Sequence, residues 1–280
     1  MAQSDLNVSN LALRLIGNRA ILGSLSDTST EGLACNANVD DCKRSLLRMH
    51  PWNFAVKRIN LSATYTTITS LADDGSGHVR VTSAAHGKAN GERVTIKDVT
   101  IVGGANGTWI VEDVAASTFD LKDSVFATGT GSANGSWTSA AAYQFAFAIA
   151  LPADNLRIIK VNEETRDDWK IEKGFILTDS DDITVKYIYD VTSYPTMDVM
   201  FYQVLAHYLA YNLCDHISAS DGKKQELYAY LWGGQGRRGM MPLAKFLDAS
   251  EDGPEVVSAT DWVESRFSGP TTSPIVGVDV

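Results

Sequence analysis

At 280 residues, with 44% hydrophobic and 21% charged residues, the chain has an ordinary globular composition and surface enough for one large or two moderate domains. Its formal net charge of −10 makes it a poor DNA clamp of the kind that neutralises phosphates, an acidic wall that DNA slides past is compatible with it, and charge alone does not choose between the two. Cys35, Cys42 and Cys214 include no Cys-x-x-Cys pair, which argues against a disulfide framework and a zinc site and predicts small buried hydrophobes.

The start is polar and lacks the apolar centre of a signal peptide, and no apolar run approaches the ~20 residues that span a bilayer. Synthesis in a cytoplasm-like compartment, with no membrane partner, is expected. Val8, Leu11, Ala12, Leu15 and Ile16 recur at helical spacing, predicting a helix over 5–16 with Gly17 as its stop. After a loop through Ile21 to Leu25, Thr28 and Glu31 match a capping box. The helix behind them carries a stripe of Cys35, Val39, Cys42, Leu46 and Met49, and His50-Pro51 should end it, because the residue before proline is driven out of the α region.

Residues 68–142 change character. Val79–Thr82, Arg93–Ile96, Thr108–Val111 and Thr118–Leu121 are short alternating runs, separated by turn signals such as Asn90-Gly91, Asn106-Gly107 and Asn134-Gly135. Brief strands at this pitch predict an inserted all-β barrel or sandwich module. Tyr143–Leu151, Leu156–Val161, Trp169–Ile171, Gly174–Leu177 and Ile183–Tyr189 then read as a second, small antiparallel β element. A long helix from near Thr196 presents Met197, Met200, Phe201, Val204, Leu205, Tyr208, Leu209 and Leu213. Ser220 or Asp221 can cap the next helix, and the run from Gly233 to Gly239 should break it, leaving a turn or two of helix over Pro242–Ala249.

The expected fold class is α+β: a four-helix host domain with a small antiparallel β element, built discontinuously from 1–67 and 143–266, with 68–142 inserted. Residues 267–280, rich in Gly, Pro, Ser and Thr, read as an extended C-terminal tail. Neither the N-terminal helix pair nor the later pair is large enough alone, so the two must share one core.

No catalytic constellation is visible, and no catalytic, cofactor-binding or metal residue is assigned; an enzyme is not expected. His207 and His216, nine apart, point roughly to opposite sides of a helix and cannot share an ion. Gly75-Ser76-Gly77 lacks the spacing of a nucleophile elbow, and the Gly233–Gly239 run lacks the Gly-Lys-Ser/Thr ending of a phosphate loop. That run reads as a loop, with Arg237 and Arg238 as candidate contacts to channel DNA or a neighbouring subunit. The acidic clusters Glu163, Glu164, Asp167, Asp168 and Asp179–Asp182 lack EF-hand order and read as solvated turns. Trp109 and Trp137 are candidate glycan-stacking residues, although a core anchor is the plainer role for at least one.

The β insert, through Val81-Thr82, His86-Gly87, Asn90 to Val94, Asn106-Gly107, Trp109 and Phe119, resembles a β module inserted in many phage structural proteins. A similar half-domain occurs in ubiquitin-activating enzymes, but 68–142 contains no cysteine, so that chemistry does not carry over. Outside it, Leu15-Ile16-Gly17, Ile21 to Leu25, Leu46 to Ala55, Leu151-Pro152-Ala153-Asp154, Tyr187-Ile188, Leu205 to Leu213 and Asp261 to Arg266 follow one another in an order that resembles the phage head-to-tail adaptor family (tail tubular protein A-like).

The resemblance implies a structural connector in the virion neck or tail, assembled in the host cytoplasm. Its partners would be a homo-oligomeric, dodecameric ring of its own copies, the portal protein, a tail nozzle or other tail protein, and genomic DNA in transit. Phe267, Pro270, Pro274, Ile275 and Val276 would then contact the portal or a neighbour. The alternative is a tail-associated glycan binder or depolymerase acting through the β insert.

Overall fold

A computed structural model of the chain describes residues 3–128, 134–162, 168–234 and 236–251. It opens with α1 (Asp5–Leu15) and α2 (Thr30–Met49). Gly17, at φ +84°, stops α1 while the Asn18 amide donates back to the Leu13 carbonyl at 3.0 Å. The α2 cap lies one residue beyond the expected one. Ser29 Oγ accepts from the Gly32 amide at 3.1 Å, while Glu31 accepts from Asn18 Nδ2 at 3.0 Å and ties down the preceding loop. Cys35, Val39, Cys42 and Leu46 are buried, but Met49, at the end of the helix, is 41% exposed, and Leu47 takes its place inside. All three thiols are free and buried, and burial pushes Cys42 up to about 11, so it stays a protonated apolar group.

A single 3₁₀ turn, Asn53–Ala55, leads into β1 (Val56–Ser62). The inserted module follows with β2 (Thr66–Thr67), β3 (Ser70–Asp73), β4 (Val79–Thr82), β5 (Arg93–Val99), β6 (Val102–Gly103), β7 (Gly107–Glu112), β8 (Thr118–Leu121), β9 (Ala127–Thr128) and β10 (Asn134–Ser139). Seven of these form an antiparallel half-barrel in the order β2-β10-β5-β7-β8-β4-β3. Its edge strands β2 and β3 are consecutive in the chain, and the run between them touches both sides. The Ile68 amide donates to Gly135 O of β10 at 3.1 Å and the Thr69 amide to Thr82 O of β4 at 2.8 Å, so this run bridges the two ends of the sheet. Phe119, Trp137, Ile68, Ile96 and Leu121 fill the interior, and every buried member of this core lies within 68–137.

Asn134-Gly135 is not a turn, as the dipeptide suggests, but the start of β10. Gly135 (φ +72°) faces Asp98 (φ +61°) across a strand irregularity, and an added Cβ would sit 2.3 Å from Lys97 O and 2.6 Å from Val99 Cγ2. Gly135→Ala should therefore lower stability by about 2 kcal/mol, combining left-handed strain with overpacking. Gly103→Ala, which meets nothing within 4 Å, should leave the thermal midpoint of the circular dichroism signal unchanged.

The remaining strands are β11 (Phe147–Ala150), β12 (Asn155–Val161), β13 (Lys170–Glu172), β14 (Phe175–Thr178) and β15 (Asp182–Tyr189). They make two three-stranded sheets, β1-β15-β12 and β11-β14-β13, where one small element was expected. Then come α3 (Val199–Ile217), α4 (Asp221–Trp232), the hairpin of β16 (Gly233–Gly234) and β17 (Arg237–Arg238), and α5 (Met240–Ser250). Asp198 caps α3 through the Met200 amide at 2.6 Å, and Ser220 caps α4.

The expected four-helix adaptor host domain is overturned. Among the described residues there are five helices and substantial antiparallel sheet, an α+β arrangement. The fifth helix forms because Pro242 lies in its first turn, where a missing amide costs no internal bond. Met241, Ala244 and Asp248 then give it a buried face. One core joins α1, α2 and Trp52 to Ile188, α3, α4 and α5. Buried almost all round, α3 is its centre; Phe201, Val204, Leu205, Leu209 and Leu213 are fully inside.

Candidate functional site

Two regions bring chemistry-bearing residues together: the root of the β module and the end of the helical body formed by α3, α4, the β16–β17 hairpin and α5. At the root, Lys97 of β5 donates to Asp181 Oδ2 at 2.8 Å, Tyr65 OH donates to the same oxygen at 3.1 Å, and Lys97 Nζ lies 3.7 Å from the Tyr65 ring centroid. The Lys97 hydrogen bond holds the Asp181 carboxyl below the usual carboxylate range. Arg93 donates to Ala141 O at 3.0 Å, and Thr95 Oγ1 donates to Ala146 O at 2.8 Å. These contacts join β5 of the module to the Ala141–Ala146 stretch and to Asp181. The Asp179–Asp182 run, read as a solvated turn, thus fixes an attachment: Asp179 accepts from the Ala146 amide at 2.9 Å and Asp182 from Ser62 Oγ at 2.9 Å.

At the other end, Met200, Glu226, Ala229, Tyr230, Gly234, Arg238, Met240 and Leu243 line a cleft of about 1030 Å³. The Gly233–Gly239 run that reads as a loop is a two-stranded hairpin, with Gly233 opposite Arg238. Gly239 is buried in a close approach, since a Cβ there would meet Leu231 O at 2.4 Å. Arg238 is exposed on the cleft rim; of Arg237 only the backbone placement in β17 is described. His207 stacks on Tyr230 with centroids 4.6 Å apart, and its Nδ1 donates to Gln203 O at 2.8 Å. Burial lowers its pKa, so the ring is a neutral platform.

The other side of α5 is pinned. Asp248, buried, binds His50 Nε2 at 2.9 Å and accepts from the Asn53 amide at 3.0 Å, while Asn53 Nδ2 donates to Asp248 O at 2.7 Å. A second knot joins Tyr194, Asp5, Lys43 and Asp40. Tyr194 OH donates to Asp5, and the buried Lys43 ammonium lies 2.8 Å from Asp40 and 3.4 Å from Asp5. Sequence reading missed both knots. Their one signal is a charged residue at a helix position facing the core, Asp248 and Lys43.

The candidate glycan contacts fare unequally. Trp137 is 5% exposed, donates from Nε1 to Ser83 Oγ at 2.9 Å and meets Phe119 edge to face; it contributes only an edge to a hollow of about 220 Å³. Trp109 is half-buried and donates to Ala105 O at 3.0 Å. The two indoles do not make a shared stacking face. His86 shapes a turn, with Nδ1 accepting from the Lys88 amide at 3.1 Å and Nε2 donating to Ala115 O at 2.8 Å. Among the described residues, no group of three or more His, Cys, Asp or Glu is placed to hold a metal, and no helix is long and apolar enough to cross a membrane. Phe267, Pro270, Pro274, Ile275, Val276, Glu163, Glu164 and Asp167 lie outside the described residues. No protein-family model and no curated protein sequence matches the chain.

Proposed function

We propose that this protein is a non-enzymatic head-to-tail adaptor of a tailed phage, ringing the DNA channel below the portal and receiving the tail on its other face. The observation that carries the reading is the convergence of the divided motif. Ile16, Leu22, Leu46, Trp52, Ile188, Leu205 and Leu213, from blocks far apart in the chain, are buried in one core, while the closing block 261–266 lies outside the described residues. A chain built as a connector needs this: a rigid helical body whose surface is free for neighbours. Tyr202 and Tyr211 of α3 are half-buried, Tyr202 against Tyr194 and Tyr211 against Tyr228, and offer a neighbour little surface. The exposed apolar residues of α4 and α5 are the better contact surface in this reading.

Arg238 on its hairpin is the candidate contact to passing DNA or to an acidic neighbour, in a chain whose negative charge otherwise keeps DNA from sticking. The segment containing Phe267, Pro270, Pro274, Ile275 and Val276 is the proposed portal-binding arm. Negative-stain imaging of the purified chain, alone and mixed with the portal of its own phage, tests the reading. Rings coaxial with the portal are expected. A chain that stays monomeric and fails to co-sediment with that portal overturns the proposal.

A further inference from the structure

The three-stranded sheet β1-β15-β12 reverses the charge of the rest of the chain. Lys57 and Arg58 lie on β1, Arg157 and Lys160 on β12 and Lys186 on β15, against the single carboxylate Asp182, in a chain of formal net charge −10. The register brings three of these cations abreast. Arg58 pairs with Lys186 and Lys186 with Lys160, so the three side chains leave one face of the sheet, about 5 Å from strand to strand. Ile183, Val185 and Tyr187 point the other way, into a core. Arg58 is exposed and the two lysines are half-buried; among the described residues none of the three forms an ion pair. Lys57, by contrast, lies 2.6 Å from Asp154. Like charges directly opposite each other across strands cost stability, and the packing does not require them on an outer face.

We propose that the row Arg58-Lys186-Lys160 contacts the phosphate backbone of a nucleic acid without regard to its sequence. The carboxylates around it leave the row open. Asp182 stands about 13 Å from Lys186 along β15, and Asp190, past the other end, is held by Arg44 at 2.8 Å. Glu163 and Glu164 lie outside the described residues. Beside the cations is a neutral row, Asn60, Thr184 and Asn162, in which Thr184 Oγ1 donates to Asn60 Oδ1 at 3.0 Å and its amide to Asn162 Oδ1 at 2.9 Å. Asn60 thus spends its acceptor inside the sheet and has a donor left, the right sign for a phosphate oxygen. A protein partner needs apolar surface at the centre of its contact, whereas the surface around this row is cations, amides and hydroxyls. No aromatic residue of the three strands shares this face, so a base has nothing to stack on and the backbone is what is met. Three contacts make a weak hold, with affinity falling roughly 40-fold between 50 and 200 mM salt. The inference stands on the register and charge of one sheet and does not need the neck-protein reading.

The test titrates the full chain into a short fluorescein-labelled DNA duplex and follows fluorescence anisotropy over a salt series. The logarithmic slope expected of the parent is about −2.7, and each of Arg58→Gln, Lys160→Gln and Lys186→Gln should reduce its size by about 0.9. The triple variant should lose affinity about tenfold or more at low salt, with a urea midpoint no lower than the parent's, since a cross-strand repulsion is relieved. Arg19→Gln, Lys122→Gln and Lys173→Gln together make the same change of net charge at exposed positions elsewhere and should bind as the parent does. No binding by the parent at low salt overturns the proposal, and so does an equal loss in both triple variants. A polyglutamate peptide that displaces the duplex at equal charge concentration also overturns it, because the row then takes an acidic protein surface. Rings that bind no duplex sink this inference and leave the neck reading standing; a monomer that binds through the row does the reverse.

Discussion

Trp52→Ala is expected to destabilise the protein by about 3–5 kcal/mol, the largest effect of any single truncation we anticipate. The indole is fully buried, lies edge to face on Phe201 with centroids 5.2 Å apart, and is flanked by Phe54 and the His50 ring. Its Nε1 also donates to Leu46 O at 3.0 Å. That carbonyl belongs to the last turn of α2, where helix acceptors have no partner within the helix, so the indole both fills the core and closes the helix end. Removing it leaves a cavity at the junction of α2 and α3 and an orphaned acceptor beside it. Trp52→Phe, which keeps a ring but loses the donor, should cost about 1–2 kcal/mol. Urea titration followed by far-ultraviolet circular dichroism measures both. A midpoint unmoved by Trp52→Ala is incompatible with a core shared by the two ends of the chain.

What the sequence makes legible is local. Gly17 as a helix stop, the Cys35-Val39-Cys42-Leu46 stripe and the strands at Val79–Thr82 and Arg93–Ile96 each follow from spacing within a short window, where a period of 3.6 or 2 decides the element. Met49 extends the same stripe by arithmetic yet lies exposed, because the helix ends at His50 before that face is covered. β1 escapes notice because Val-Lys-Arg-Ile-Asn-Leu-Ser is half exposed and alternates weakly, and its partner β15 is more than a hundred residues away. α5 is underestimated because Pro242 reads as a boundary, although proline is harmless in a first turn. The groups that hold the candidate sites are the least visible. Lys97 and Asp181, or His50 and Asp248, are separated by 84 and 198 residues, and neither residue of such a pair is distinguishable alone from a solvated charge. The cleft is invisible for the same reason: its walls come from α3, α4, the hairpin and α5.

Asp248→Ala should be the second most damaging change, at about 3 kcal/mol, because one carboxylate serves three purposes. The 3₁₀ turn Asn53–Ala55 has Trp52 at its N-cap with no side-chain cap, and Asp248 supplies the missing acceptor from a distant helix, taking the Asn53 amide at 3.0 Å. It holds His50 Nε2 at 2.9 Å and fixes α5 against the end of α2. Truncation leaves a buried amide and an imidazole without their acceptor. The consequence for pH follows from His50. Burial lowers its pKa and outweighs the pull of Asp248, with Lys245 and Arg157 adding to the depression. The unfolded chain, with a histidine near its ordinary value of about 6.5, then binds more protons than the folded one. Stability is therefore complete above that value and is lost as pH falls through the lower folded pKa. Urea midpoints measured from pH 7 to 5 should decline in the parent chain and flatten in His50→Gln. In Asp248→Ala they should decline more steeply, since the carboxylate that favours the imidazolium is gone while burial remains. If the decline is instead shallower, Asp248 does not act on His50, and the fastening of α5 has another origin.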